Sequence, residues 1–241
     1  MSDETEIQVN FGKPMPVFPL GAVMLMPHAV LPLLIFEPRY RQMIENALDG
    51  AGQIAMGIFE GDDWRQDYEG TPPLRDAVCV GQITRHQKLP DGRYHVWLHG
   101  VCRARILQEL GPNETRLYRL VMLEPVGVAD IDEQALEPYR ARFTELLTDT
   151  SLSTLSNAKA IVKHLANDEV PTSAILELLT VSVLHDTEAR YYPELHYRLL
   201  AEGDASRRAE LILNEMQDLR TLLQRAEKQR HADAPRGCTW N

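Results

Sequence analysis

The sequence has 241 residues, of which 44% are hydrophobic and 25% charged, proportions typical of a soluble globular protein. Its 35 acidic and 25 basic residues give a formal net charge of −10, which disfavours general binding to nucleic-acid phosphates and anionic membranes. No apolar run approaches the ~18 residues that span a bilayer, and the acidic amino terminus is unlike a signal peptide. The three cysteines are odd in number and widely spaced, which indicates a reducing compartment. We therefore expect a cytoplasmic protein with no membrane association.

The amino-terminal part predicts two short strands followed by a helix. Residues 1–13, which begin with the acidic and polar run 1–6, predict a disordered or loosely attached leader. Prolines then divide an apolar segment into strand-length runs: Pro19, Pro27, Pro32 and Pro38. After Pro38 the apolar residues recur at helical spacing: Tyr40, Met43, Ile44, Ala47 and Leu48. Glu37 and Arg39 flank Pro38, and we expect an ion pair or hydrogen bonds between them to stabilise this corner.

The middle of the chain predicts a small closed sheet. Residues 53–59 form an apolar run, and 60–73 read as a polar loop in which Trp64 and Tyr68 are anchors. Residues 77–87 and 93–99 flank a Pro-Asp-Gly turn and predict a β-hairpin. Two further runs, 101–108 and 117–123, bring the total to roughly six strands. Such a set favours a barrel-like sheet with one early helix over residues 14–126.

From residue 131 the apolar period becomes helical, which predicts a bundle over residues 127–230 and a flexible tail at 231–241. One stripe comprises Ala135, Leu136, Tyr139, Phe143, Leu146 and Leu147. Residues 174–184 are apolar on all sides and predict a buried central helix. A further helix begins at Pro193, and Asp204 is suited to be the N-cap of a long final helix. The fold class is therefore α+β, a barrel followed by a bundle.

Several segments together resemble the amino-terminal, substrate-binding domain of Lon proteases. Residues 16–48 carry the clearest similarity, and 80–85, 88–94, 99–106 and 203–211 follow in the same order and spacing. The resemblance implies a pseudo-barrel related to RNA-binding PUA domains. It also implies a module that handles protein substrates upstream of an ATPase.

Catalytic motifs are not evident in the sequence. It contains no Gly-x-x-x-x-Gly-Lys-Ser/Thr loop for nucleotide phosphates and no Gly-x-Ser-x-Gly nucleophile elbow. His95 and His99 would lie ~13 Å apart on a strand, too far to share a metal. We expect a noncatalytic protein without metal or cofactor, which lacks the ATPase and protease domains of the Lon enzymes.

Two groups of residues are candidate binding sites. Met24, Leu25, Met26 and His28 follow the first predicted strand, and flexible methionines suit a surface that accepts varied apolar sequences. The predicted partners are unfolded or apolar-rich polypeptides, or a protease. Packing of these residues in the core is the alternative. The second group, for RNA or acidic peptide, is a basic strip formed by Arg85, Arg103 and Arg105. Its alternative is a set of solvated residues balanced by nearby acids.

Two other functions stay open at this point. A pocket between barrel and bundle would support small-molecule binding. A continuous basic face would support RNA binding of PUA type, although the net charge makes nucleic acid an unfavourable partner. The long carboxy-terminal helix could also pair with a second copy to form a homodimer.

Overall fold

The computed structural model describes residues 7–21, 23–68, 70–127, 131–155, 157–183 and 193–233. These residues form two compact units. One lies within 1–129 plus 192–203 and the other within 130–191 plus 204–241. We call them the barrel unit and the helical unit.

Six strands of the barrel unit form one sheet that closes on itself. They are β1 Met15–Leu20, β2 Val30–Ile35, β3 Gln53–Ile58, β4 Ala77–Lys88, β5 Tyr94–Leu110 and β6 Leu120–Pro125. Their order is β2-β5-β4-β3-β1-β6, and an additional β5–β6 pairing completes a ring of all strands except β2. The ring confirms the predicted barrel. Strand β2 is left outside it, paired with β5.

Strand β5 is a single strand where the sequence predicts two. Its first half pairs with β2 through residues 94–99, and its second half pairs with β6 through residues 104–110. Strand β4 pairs with β5 over residues 94–105, with register shifts on both sides of residues 81–83. Strand β5 therefore continues through Gly100, because the residues before Gly100 pair with β2 and the residues after it pair with β6.

Helix α1, Pro38–Leu48, confirms the amphipathic pattern and buries Tyr40, Met43, Ile44 and Ala47.

The barrel core is made of small and branched side chains that alternate along the strands, among them Val17, Ala55, Val78, Val80 and Val121. Val9 and Phe11 pack against this core, and Gln53 Nε2 donates to the Gln8 carbonyl at 2.9 Å. Residues 7–13 thus belong to the barrel unit and not to a disordered leader; residues 1–6 lie outside the described chain. A 3₁₀ turn, Asp63–Arg65, lies in the loop after β3.

The described residues of the helical unit form four α-helices: α2 Glu133–Thr148, α3 Ala158–Leu165, α4 Thr172–Ser182 and α6 Ala205–Asp233. A 3₁₀ turn at Leu152–Thr154 precedes α3. The Asp132 carboxylate caps α2 by accepting from the backbone N–H groups of Gln134 and Ala135. Ile175, Leu176 and Leu179 of α4 are fully buried, as expected for a central helix. Leu184 of that predicted helix and residues 234–241 of the predicted tail lie outside the described residues.

Arg140 on the buried face of α2 holds the helical unit together. Its guanidinium donates to the carbonyls of His164, Leu165, Asn167 and Val170 and to the Thr172 hydroxyl. Two of these carbonyls, those of His164 and Leu165, belong to the end of α3, where helix carbonyls have no intrahelical partner and carry partial negative charge. One charged side chain thus supplies hydrogen-bond donors to the backbone carbonyls from the end of α3 to the start of α4.

Helix α5, Pro193–Ala201, packs on β4 and β5 of the barrel, although the sequence assigns it to the bundle. Arg75 pairs with Glu194 at 2.8 Å, and Tyr197 Oη accepts from the backbone N–H of Ala77 at 3.0 Å. Leu199 and Leu200 are buried. A helical period does not identify the surface that a helix covers, so this placement is set by tertiary contacts.

Candidate functional site

The outer face of strand β2 is apolar and exposed. Val30 and Leu34 are 56% and 42% exposed, and Phe36, which follows the strand, is 61% exposed. The intervening Ile35 is buried, as the alternation of a strand requires. Register places three half-exposed residues of β5 opposite this face. We call the combined surface the edge face; it comprises Val30, Pro32 and Leu34 of β2 and His95, Trp97 and His99 of β5.

The backbone of β2 has an unused edge. Gly100 N–H donates to the Ala29 carbonyl at 2.8 Å, which fixes Ala29 as a residue whose carbonyl points to β5. Because antiparallel strands alternate, the polar backbone groups of Val30, Pro32 and Leu34 point away from β5. Within the described part of the chain, β5 is the strand that pairs with β2. Pro32 has no N–H, so this edge lacks its central donor.

Polar and cationic groups surround the apolar centre of the edge face. The Arg85 guanidinium lies 4.8 Å from the centre of the Trp97 ring, a cation–π distance. The His28 and His99 rings are 6.5 Å apart. The confirmed alternation of Tyr94, Val96 and Leu98 with the histidines and Trp97 keeps these polar rings on the outer surface.

The four residues of the first predicted site divide between core and surface. Leu25 and Met26 are buried in the barrel unit, so neither can contact a partner in this conformation. Met24 is half-buried and His28 is exposed, with a positive φ of 63°. The structure thus supports core packing for two of the four and brings His28 to the edge face. Sequence reasoning missed Val30, Leu34 and Trp97, although apolar residues on both faces of a proline-containing strand were a signal for an edge strand.

The predicted basic strip does not form. Arg85 is opposite Trp97 in the β4–β5 ladder, whereas Arg103 is opposite Cys79, six positions away or ~20 Å along the strand. Arg103 is buried, and its Nε donates to the Leu199 carbonyl at 3.1 Å. Arg105 is exposed and lies 3.4 Å from Glu124. Strand register and the packing of α5 separate the three side chains.

A cleft of about 320 Å³ lies beside the start of α1. The predicted Glu37–Arg39 ion pair forms part of its wall at 2.9 Å, and Tyr68 Oη donates to Glu37 at 2.6 Å. The Arg39 guanidinium lies between the rings of Tyr40 and Tyr68, at 4.8 and 4.7 Å. Tyr68 and Trp64 of the predicted loop also contact Phe59, so both act as anchors.

No group of three or more His, Cys, Asp and Glu residues in the described ranges could hold a metal ion. None of the helices in the described chain is both long enough and apolar enough to cross a bilayer.

Residues 14–218 match the family model described as the ATP-dependent protease La (LON) substrate-binding domain. The chain belongs to the Lon substrate-binding domain family. The resemblance inferred from residues 16–48 and the later segments is thereby confirmed. It extends over the barrel unit and most of the described helical unit.

Relatives with the same domain are Lon proteases. The protein of Trichlorobacter lovleyi is 29% identical over 138 residues, which are 54% of this chain and 16% of the relative. The protein of Escherichia coli K12 is 33% identical over 91 residues, 38% of this chain and 11% of the relative. The matched region is therefore a small fraction of the length of these proteases.

Solved structures of Lon amino-terminal domains share the fold. The N-terminal domain of a Mycobacterium avium complex Lon protease superposes with a TM-score of 0.62 at 17% identity, covering 86% of this chain and 99% of that one. A Lon N-terminal domain protein from Xanthomonas campestris gives 0.56 at 18% identity, covering 84% and 98%. The α+β architecture is thus that of Lon amino-terminal domains.

Proposed function

We propose that this chain is a noncatalytic module that binds unfolded or apolar-rich segments of protein substrates, with the edge face as its contact surface. The observation that carries this proposal is the exposure of Val30, Leu34 and Phe36 on and beside a strand with an unused backbone edge. Isolated apolar residues are normal on a surface, but a contiguous group on an open sheet edge is typical of an interaction site.

The edge face suits an extended chain. A bound segment can add to β2 as a further strand, exchanging backbone hydrogen bonds with Val30 and Leu34 and accepting none from Pro32. Its alternate side chains would lie on Trp97 and the neighbouring apolar groups. Backbone pairing is independent of sequence, and apolar burial contributes ~25 cal/mol per Å² before association costs. Such a surface selects unfolded polypeptides because folded proteins rarely offer a free strand.

The first predicted site contributes at one end of this surface. His28 and the half-exposed Met24 precede β2 and extend the contact, whereas Leu25 and Met26 support the strand from the core. Family membership adds to this proposal because the matched domain is described as substrate-binding.

The wider role follows from the relatives. Since they are Lon proteases, we propose that captured segments are destined for proteolysis, in the cytoplasm, with this chain as the recognition part or as an adaptor. Pairing of α6 with a second copy stays a prediction; Leu222 is an exposed apolar residue of that helix.

The test is binding of fluorescently labelled, reduced and carboxymethylated α-lactalbumin, measured by fluorescence anisotropy at physiological salt. Wild-type protein should bind the unfolded form and not the native, disulfide-bonded form. Leu34→Asp should weaken binding at least tenfold, because a charge then lies in the apolar contact.

Leu107→Asp is the matched control, since Leu107 is 60% exposed on β5 outside the edge face and the same charge is introduced. It should leave the affinity within twofold of wild type. Equal losses in the two variants, or no binding by wild-type protein, would contradict the proposal.

A further inference from the structure

The cleft beside α1 contains hydrogen-bond donors that the described protein does not use. Tyr40 is 5% exposed, yet its hydroxyl makes no hydrogen bond to any described residue. Arg119, 9% exposed, donates through Nη1 to the Pro72 carbonyl at 2.8 Å and to Glu109 at 3.1 Å. Its Nε and Nη2 have no hydrogen-bond partner among the described residues. Both side chains line the cleft.

The donors are arranged for an anionic acceptor. The Nε–Nη2 edge of a guanidinium presents two parallel N–H groups, the geometry that matches both oxygens of a carboxylate. Burial raises the pKa of the Tyr40 phenol, so its hydroxyl stays protonated and can donate. Tyr40 and Arg119 line the same cleft, so one ligand can contact both side chains.

Other polar groups of the cleft do not compete for these donors. Tyr118 Oη accepts from Asn46 Nδ2 at 2.9 Å, so its own hydrogen is a further donor. The Glu37 carboxylate is occupied by Arg39 and Tyr68. Glu109 is 35% exposed in its side chain and shares Arg119 only through Nη1. A ligand oxygen that enters the cleft can therefore accept hydrogen bonds from Arg119, Tyr40 and Tyr118.

The remaining walls are apolar, and the volume is at the lower end for ligand pockets, about 320 Å³. The apolar lining includes Val17, Pro19, Phe59, Pro112 and Leu117. Such a cavity favours a compact ligand that combines an apolar body with one charged end.

We propose that this cleft binds a carboxylate carried on a compact apolar group, with Arg119 and Tyr40 holding the two oxygens. The group is either the carboxy-terminal residue of a polypeptide or a free apolar carboxylic acid. This inference does not rest on the proposed function, since none of these residues belongs to the edge face.

The test uses acetyl-L-leucine, acetyl-L-leucinamide, and the peptide acetyl-Gly-Ser-Gly-Ser-Gly-Leu as its acid and its amide. Each is titrated into the ¹⁵N-labelled full chain while the Arg119 side-chain Nε–H resonance is followed. Both acids should bind and shift this resonance, and both amides should bind at least tenfold more weakly. A peptide acid that binds tenfold more tightly than acetyl-leucine identifies the polypeptide terminus as the source. Equal affinities identify the small acid.

Tyr40→Phe removes only a hydroxyl that donates to none of the described residues, so the variant should remain folded, with an unchanged melting temperature. It should weaken acid binding about five- to tenfold, while Tyr139→Phe in the helical unit leaves it unchanged. Leu34→Asp should also leave it unchanged, which separates this site from the edge face. Equal binding of acids and amides, absence of acid binding, or full affinity in Tyr40→Phe would overturn the proposal.

Discussion

Pro32 of β2 lies directly opposite Trp97 of β5. The backbone nitrogen of Pro32 faces away from β5 and carries no hydrogen. The indole adds an aromatic ring to the edge face, and the proline removes the central donor from the open edge. A strand edge with all donors present is a template for pairing with another copy of the protein. This pair therefore keeps the surface apolar while limiting continuous sheet extension.

Pro32→Val should promote self-association. Valine restores the N–H and favours the extended conformation, so two edges can pair over the full length of β2. Sedimentation velocity over a concentration series should show oligomers that wild-type protein lacks. Pro138→Ala, which removes an exposed proline from α2, is the control and should sediment like wild type. A Pro32→Val protein that stays at the wild-type association state would refute this role.

Gly100→Ala should destabilise the barrel unit and displace the start of β2. A Cβ at Gly100 would lie 2.0 Å from the Met26 carbonyl oxygen, so the backbone of the 26–29 segment must move. We expect a loss of about 1–3 kcal/mol in the free energy of unfolding, the usual cost of overpacking. Urea unfolding followed by tryptophan fluorescence measures it. Gly111→Ala, where nothing lies within 4 Å of the new Cβ, should cost far less; similar losses would contradict the packing argument.

Arg140→Met should destabilise the helical unit by about 3 kcal/mol, because four carbonyls and one hydroxyl lose a buried, charged donor. Amide exchange of α3 and α4 in the full chain gives a local measure of the loss. Arg142→Met changes the same charge at an exposed position of the same helix and is the control. Unchanged exchange in the Arg140 variant would show that the network contributes no stability.

Asp204→Ala should cost about 1 kcal/mol at pH 7, since Asp204 Oδ1 accepts from the Arg207 N–H at 3.0 Å and caps α6. This hydrogen bond lowers the pKa of the Asp204 carboxyl. A lowered folded-state pKa means that the stabilisation is present above the unfolded pKa of ~3.9 and is lost as pH falls through the folded pKa.

The check is the difference in unfolding free energy between wild type and Asp204→Ala, measured from pH 7 downwards. The difference should decrease as pH falls below the unfolded pKa of the carboxyl. Asp204→Asn keeps a capping oxygen without a titratable charge and should remove the pH dependence with a smaller loss at pH 7. Asp218→Ala, on the exposed side of α6, controls for the charge. A difference that persists unchanged in acid would contradict the carboxylate mechanism.

The sequence predicts local features correctly where interactions between residues close in the chain determine them. The helix after Pro38, the hairpin turn before β5, the alternation over Tyr94–His99 and the cap at Asp204 all follow from periodicity, proline geometry or capping. These signals depend on neighbours within a few residues. For the same reason the family resemblance was strongest over residues 16–48, where such signals are dense.

The buried charge of Arg140 is visible in the sequence, but periodicity and capping rules do not identify its hydrogen-bond partners. Arg140 follows Leu136 by four positions and precedes Phe143 by three, so it lies on the buried face of α2. A charge at that position breaks the apolar stripe, but its partners are 24–32 residues further along the chain.

By itself the sequence determined which segments are strands and helices, and that the fold is a barrel with a helical part. Tertiary structure alone decided which faces are free. It buried Leu25 and Met26, separated the three arginines by strand register, placed α5 on the barrel, and placed Tyr40 and Arg119 in the wall of one cleft. Periodicity states that a face is apolar, whereas burial depends on which distant segment covers it, and that choice is made by the packing of the whole unit.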